Sequence, residues 1–170
     1  KGIDYLIEAL PSVVEKFPDT IYVILGITHP EVKKLQGEKY RLSLERKVRD
    51  LGLSENVVFQ NRFVELDELC DYIAASDIYV TPYLNKDQAT SGTLAYAVGM
   101  GKPVISTPFY YAEDMLNDGR GILVDFKNSK GLSEALIKLI ENQVLKNKIR
   151  KKAYDFGRNM IWTEVGRQYV

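Results

Sequence analysis

Ile78-Tyr79-Val80-Thr81-Pro82, a polar loop over 83–90, and then Ser91-Gly92-Thr93-Leu94-Ala95-Tyr96-Ala97-Val98-Gly99-Met100-Gly101-Lys102-Pro103-Val104-Ile105-Ser106 form the stretch on which the fold turns. The first run is β-branched and aromatic and is closed by proline, which is the pattern of a strand. Ser91 or Thr93 can cap a helix running through Met100, with Gly101 ending it, and Val104-Ile105-Ser106 is a second strand. Strand, helix and strand in this order form a βαβ unit, and its crossover makes the two strands parallel.

The same alternation extends in both directions. Upstream, Ile3, Leu6, Ile7, Leu10, Val13, Val14 and Phe17 lie on one stripe of a helix ended by Pro18. Ile21-Tyr22-Val23-Ile24-Leu25, closed by Gly26, reads as a strand covered on both faces. Leu35, Leu42, Leu44, Val48 and Leu51 predict a helix stopped by Gly52, Asn56 to Gln60 a strand, and Leu66 to Ile73 a short helix. Downstream come a helix near Tyr111–Leu116, a strand Ile122-Leu123-Val124, a helix over Leu132–Ile140 and further helix with a break at Gly157. The expected fold is therefore α/β: a Rossmann-like, doubly wound parallel sheet with helices on both faces. Ligands of such sheets bind beyond the carboxyl ends of the strands, here the loops 26–30, 60–65, 82–93, 107–111 and 125–128.

At 170 residues the chain is sized for one domain over 1–170. Its 23 basic and 23 acidic residues cancel, which argues against nucleic acid held by counterion release. A lone cysteine, Cys70, makes no internal disulfide, no Cys/His cluster has metal-ligand spacing, and a reducing, cytoplasmic setting is expected. No apolar run reaches the ~20 residues of a membrane span. The opening Lys1-Gly2-Ile3-Asp4 carries no initiator methionine, so a fragment of a longer protein is expected.

Loop 82–93 is the richest in chemistry. Gly92 permits close backbone approach, and the Ser91 and Thr93 hydroxyls stand beside the helix's exposed amides, which makes either a phosphate cradle or an ordinary N-cap. Neither a P-loop nor a dinucleotide Gly-rich fingerprint is present. His29 before Pro30 reads as an exposed loop histidine or a general acid or base. Phe109-Tyr110-Tyr111 with Glu113 follows another strand end and lines a ligand pocket or packs between helix and sheet. The run Lys146, Lys148, Arg150, Lys151 and Lys152 reads as a solvated helix face.

The run from Gln88 to Pro108 resembles the signature of retaining GT-B glycosyltransferases of the group 1, family 4-like type, Glu-Gly-Phe-Gly-(three residues)-Leu-Glu-Ala-Met-Ala-Cys-Gly-Lys-Pro-Val. Lys1-Gly2-Ile3-Asp4-Tyr5, Ala75 to Pro82, Asp118 to Val124 and Ile161 to Val165 resemble other segments of that family in the same order. The resemblance implies the C-terminal, nucleotide-sugar-binding half of an enzyme that transfers a hexose, with retention, to a glycan or other hydroxyl acceptor. By the same resemblance, an N-terminal acceptor domain and a first, central strand lie outside this chain, and the fragment alone would bind without catalysing. The missing strand would leave a gap in the sheet or require another chain to fill it, unless the flanking strands pair with each other. Residue by residue, Lys1, Ser91, Gly92 and Thr93 would hold the diphosphate, and the loop of Arg62 and Phe63 the base. Gln88 stands where the family has the catalytic-site glutamate. Tyr96 stands where a second glutamate accepts ribose hydroxyls; a tyrosine there is similar to the bacterial glycogen synthase branch and would stack on the nucleotide, or else is a core aromatic. His29, Tyr110 and Glu113 are candidates for the sugar pocket. No metal, cofactor, nucleic acid or membrane is implied. A GT-B epimerase and a degenerate, non-catalytic binding domain are the alternatives.

Overall fold

The computed structural model describes residues 1–28, 34, 37–167 and 169; His29 and Leu35 lie outside them. Helix α1 (Ile3–Lys16) precedes β1 (Tyr22–Leu25), α2 (Lys39–Asp50) precedes β2 (Val57–Gln60), and α3 (Leu66–Ala75) precedes β3 (Tyr79–Thr81). Then come α4 (Gly92–Gly99), β4 (Val104–Ser106), α5 (Tyr110–Leu116) with a 3₁₀ turn at Asn117–Gly119, and β5 (Ile122–Leu123). Helices α6 (Ser129–Glu141), α7 (Gln143–Gly157) and α8 (Trp162–Arg167) follow.

Strand pairing among the described residues is parallel throughout: β1 with β2, β3 with β4, and β4 with β5. The sheet stands in two pieces, β1-β2 and β3-β4-β5, and β1 and β3 do not pair with each other. Side chains alternate across each strand. Ile78, Val80 and Ile105 face a core built with Leu6, Ile7 and Val13 of α1 and Leu132 and Leu139 of α6. Tyr79 and Val104 face a second core with Leu94 and Val98 of α4, Met115 of α5 and Ala153 of α7. Helices thus cover both faces of the three-stranded piece, as a doubly wound fold requires. Burial of Leu6, Ile7, Leu10 and Val13 contributes about 1.5–3 kcal/mol each, enough to carry α1 through Pro11 in its interior.

Strand β1 corrects one expectation. It is not covered on both faces: Tyr22 and Ile24 join the core, whereas Val23 and its register partner Val58 are 40% and 38% exposed. The reason is that α2 turns only Leu44 and Val48 inward, toward the same core as α1, and leaves the outer face of the β1-β2 piece open. At the other end of the fold, Gly157 of α7 meets Gly99 of α4 so closely that a β-carbon on Gly157 would lie 2.6 Å from the Gly99 Cα. That contact fixes α4, whose opposite end forms the site described next.

Candidate functional site

Helix α4 begins at a capped turn. Ser91, buried and extended, accepts a hydrogen bond at its Oγ from the Leu94 N–H at 3.4 Å. Helical geometry leaves the Gly92 and Thr93 amides without intrahelical acceptors, and Gly92 is exposed. The amides and the helix dipole together favour an anion at this point. Below them the Tyr79 hydroxyl donates to Thr93 Oγ1 at 2.7 Å. Burial pushes the Tyr79 phenol up to about 12, against a smaller opposing effect of that hydrogen bond, so it stays neutral.

The start of α1 is pressed onto the chain leaving β3. Gly2 has φ +73°, and a β-carbon there would lie 1.9 Å from the Pro82 carbonyl oxygen. Only glycine satisfies both the angle and the contact. The consequence is that the Lys1 ammonium sits 3.9 Å from the Tyr83 ring centroid, a cation–π contact. Tyr83 in turn stacks on Phe109, with centroids 5.2 Å apart, and its carbonyl accepts from the Thr107 hydroxyl. Ser106 Oγ donates to the Thr81 carbonyl and the Tyr110 N–H to the Lys86 carbonyl, so the loops after β3 and β4 are tied together. Burial alone would raise the Tyr83 phenol; the Lys1 ammonium and the Ser91 and Thr93 hydroxyls outweigh it and hold it below its ordinary value.

The structure therefore gathers Lys1, Ser91 and Thr93 around Tyr83, and Gly92 stands between Ser91 and Thr93 at the start of α4. Tyr96 is not a core aromatic: it is 39% exposed, and its ring edge lies 4.0 Å from where a Gly92 β-carbon would be, one turn along α4. Gln88 is half-buried in the loop, its Nε2 donating to the Thr90 carbonyl at 2.8 Å. Arg62, after β2, forms a bidentate ion pair with Glu68 of α3, which raises the guanidinium above its ordinary value, and Phe63 beside it is exposed. The aromatic run divides. Phe109 is fully buried core, Tyr110 is exposed beside the Lys86 ammonium, and Glu113 is exposed on the first turn of α5. Nor is the basic run uniformly solvated, since the Lys146 side chain is largely buried near Asp77. Gly2 and Tyr83 were missed in the sequence. Their contacts join positions about 80 residues apart, and the one available hint was an aromatic placed directly after a strand end.

Among the described residues no group of His, Cys, Asp and Glu is arranged to hold a metal, and no helix is long and apolar enough to cross a membrane. Residues 1–156 match the family of glycosyl transferases group 1. A phosphatidyl-myo-inositol mannosyltransferase of Mycobacterium leprae is 26% identical over the whole of this chain and 42% of its own length. A GDP-mannose-dependent alpha-(1-6)-phosphatidylinositol monomannoside mannosyltransferase of Mycolicibacterium smegmatis is 29% identical over 80% of this chain and 34% of its own. The chain thus spans about two fifths or less of the curated relatives it matches. Among solved structures, the C-terminal domain of the group 1 protein LpcC from Francisella tularensis superposes with a TM-score of 0.78 and 26% identity, covering 91% of this chain and 76% of that one. Anabaena HepE, solved with UDP and glucose, shares the fold with a TM-score of 0.79 at 21% identity, over 92% of this chain and 40% of that one. Matched along most of its length, and folded as a GT-B C-terminal domain, the chain belongs to the glycosyl transferases group 1 family.

Proposed function

We propose that this chain is the donor-binding half of a retaining glycosyltransferase, which takes a nucleoside-diphosphate sugar and, in the whole protein, passes the hexose to a hydroxyl of a glycan or similar acceptor. The observation that carries this reading is the convergence of one ammonium, Lys1, and the open end of α4 on a single side chain, Tyr83. The diphosphate accepts from the Gly92 and Thr93 amides and pairs with Lys1, so leaving-group charge is neutralised by fixed protein groups without a metal. Tyr96, along the same turn, stacks on the nucleoside. The backbone of the Arg62–Phe63 loop contacts the base. Gln88 offers its Oε1 to a sugar hydroxyl, and Tyr110 and Glu113 border the sugar. Two named relatives being mannosyltransferases, and HepE having been solved with UDP and glucose, support the donor class.

In the whole protein a strand from upstream of Lys1 lies between β1 and β3, and an acceptor domain closes the other side of the cleft. The divided sheet supports the first of these. By itself the chain binds donor without transferring it. The reaction runs in the cytoplasm, where a free cysteine such as Cys70 stays reduced. The test is calorimetric titration of the protein with UDP, GDP and ADP and their sugars. Binding of one nucleoside diphosphate well above its monophosphate is expected, and binding of none overturns the reading.

A further inference from the structure

We propose that Tyr83 is the positioning residue of this site: stacked on Phe109, its ring holds the Lys1 ammonium beside the open end of α4, so that the grip on the diphosphate depends on the ring and on the charge of its hydroxyl. The inference rests on the donor-site reading above and adds a residue and a pH dependence to it.

The geometry carries the first part. Tyr83 lies between the two parts of the cradle, with the Lys1 ammonium over its ring and the Ser91 and Thr93 hydroxyls acting on its phenol. Phe109, itself fully buried, supports one side of its ring by stacking, and the Lys1 ammonium stands 3.9 Å from the ring centroid. Its backbone is tied to Thr107 of the neighbouring loop, so the ring has little freedom to follow Lys1 if Lys1 moves. A lysine side chain has four rotatable bonds and loses about 2 kcal/mol of rotamer freedom when fixed. An aromatic platform that pre-orders the ammonium removes part of that cost before the ligand arrives.

The pH dependence follows from what faces the phenol. The ammonium of Lys1 approaches from the start of α1, the hydroxyls of Ser91 and Thr93 from α4, and the phenol of Tyr79 from β3; Phe109 from the start of α5 brings no charge. Lys1 and the two hydroxyls favour the phenolate, which is why Tyr83 ionises more readily than a free tyrosine, while Tyr79 remains protonated. A phenolate at this place competes with the diphosphate for Lys1 and repels it. Binding of the anionic diphosphate therefore favours the neutral phenol, and by linkage affinity falls as pH rises through the Tyr83 titration.

Tyr83→Phe keeps the ring, the stack and the cation–π contact and removes only the hydroxyl. Affinity for whichever nucleoside diphosphate binds best is measured from pH 7.5 to 10 in both proteins. The wild type is expected to weaken roughly threefold to tenfold across that range and Tyr83→Phe to stay nearly flat. Any loss of charge on Lys1 is common to both proteins, so the difference in slope isolates the phenol. Tyr83→Leu, which removes the ring, is expected to weaken binding at every pH. Without ligand, the tyrosinate absorbance of the wild type minus that of Tyr83→Phe should show one tyrosine ionising below pH 10. Parallel pH profiles, or a difference spectrum with its midpoint above 10, overturn the role of Tyr83 and leave the donor site standing. Failure of the wild type to bind any nucleoside diphosphate overturns the donor site, and the role of Tyr83 with it.

Discussion

Replacing Gly2 with alanine tests how the site is assembled. A β-carbon at this position would stand 1.9 Å from the Pro82 oxygen, 3.0 Å from the Pro82 carbonyl carbon and 3.2 Å from Leu84 Cδ2, on a backbone at φ +73°. The left-handed angle costs alanine about 1–2 kcal/mol. Relieving the overlap requires the start of α1 and the Pro82–Leu84 chain to part by roughly 1 Å, at a further 1–3 kcal/mol on the scale of overpacked interiors. Neither partner yields easily, because Leu6 and Ile7 anchor α1 one turn later and Thr107 ties down the carbonyl of Tyr83. The expected total is about 2–5 kcal/mol of stability. Misplacing Lys1 by ~1 Å should also weaken diphosphate affinity by on the order of 10-fold or more. Gly52→Ala is the control, since Gly52 has φ +69° with no atom within 4 Å of its would-be β-carbon. It should lose only the cost of the angle and leave affinity alone. Urea unfolding and calorimetric titration read both quantities, and a Gly2→Ala protein no worse than Gly52→Ala in either would refute the argument that this contact builds the site.

Three other outcomes follow from the same geometry. Gly157→Ala, with its β-carbon 2.6 Å from the Gly99 Cα, should push α7 off α4 and lower stability by about 1–3 kcal/mol in urea unfolding. Arg62→Ala removes an exposed ion pair with Glu68 and leaves the loop backbone in place, so the unfolding midpoint and nucleotide affinity should both hold; a fall in affinity by calorimetric titration would show that the side chain, and not the backbone, serves the base. Gln88→Glu and Gln88→Ala should each change donor-sugar preference in transfer assays on the whole protein, and unchanged kinetics in both would remove Gln88 from the sugar site.

Much of the fold was legible because periodicity is local. The apolar stripe of α1, the short strands β3 and β4 and the cap at Ser91 are each set by residues within a turn or two of one another, and their boundaries fall within a few residues of expectation. The error at β1 has the same root. A continuous apolar run shows that a strand is hydrophobic, yet it cannot show whether a helix arrives to cover its second face, and here Val23 and Val58 stay open. Likewise Phe109-Tyr110-Tyr111 reads as one aromatic cluster, but the turn into α5 sends Phe109 inward and Tyr110 outward.

The site divides along the same line. The order of residues in the chain was sufficient to settle the βαβ alternation, the capped N-terminus of α4 and, through its motifs, the family. Folding settled which distant groups meet. Lys1 is brought to Tyr83 because a glycine with a left-handed angle lets α1 start against Pro82, and Tyr83 is held there by Phe109 and Thr107 from the next loop. Contacts of that kind depend on two backbones meeting within a fraction of an ångström, a distance set by the packing of the cores beneath them and by no local pattern of residues.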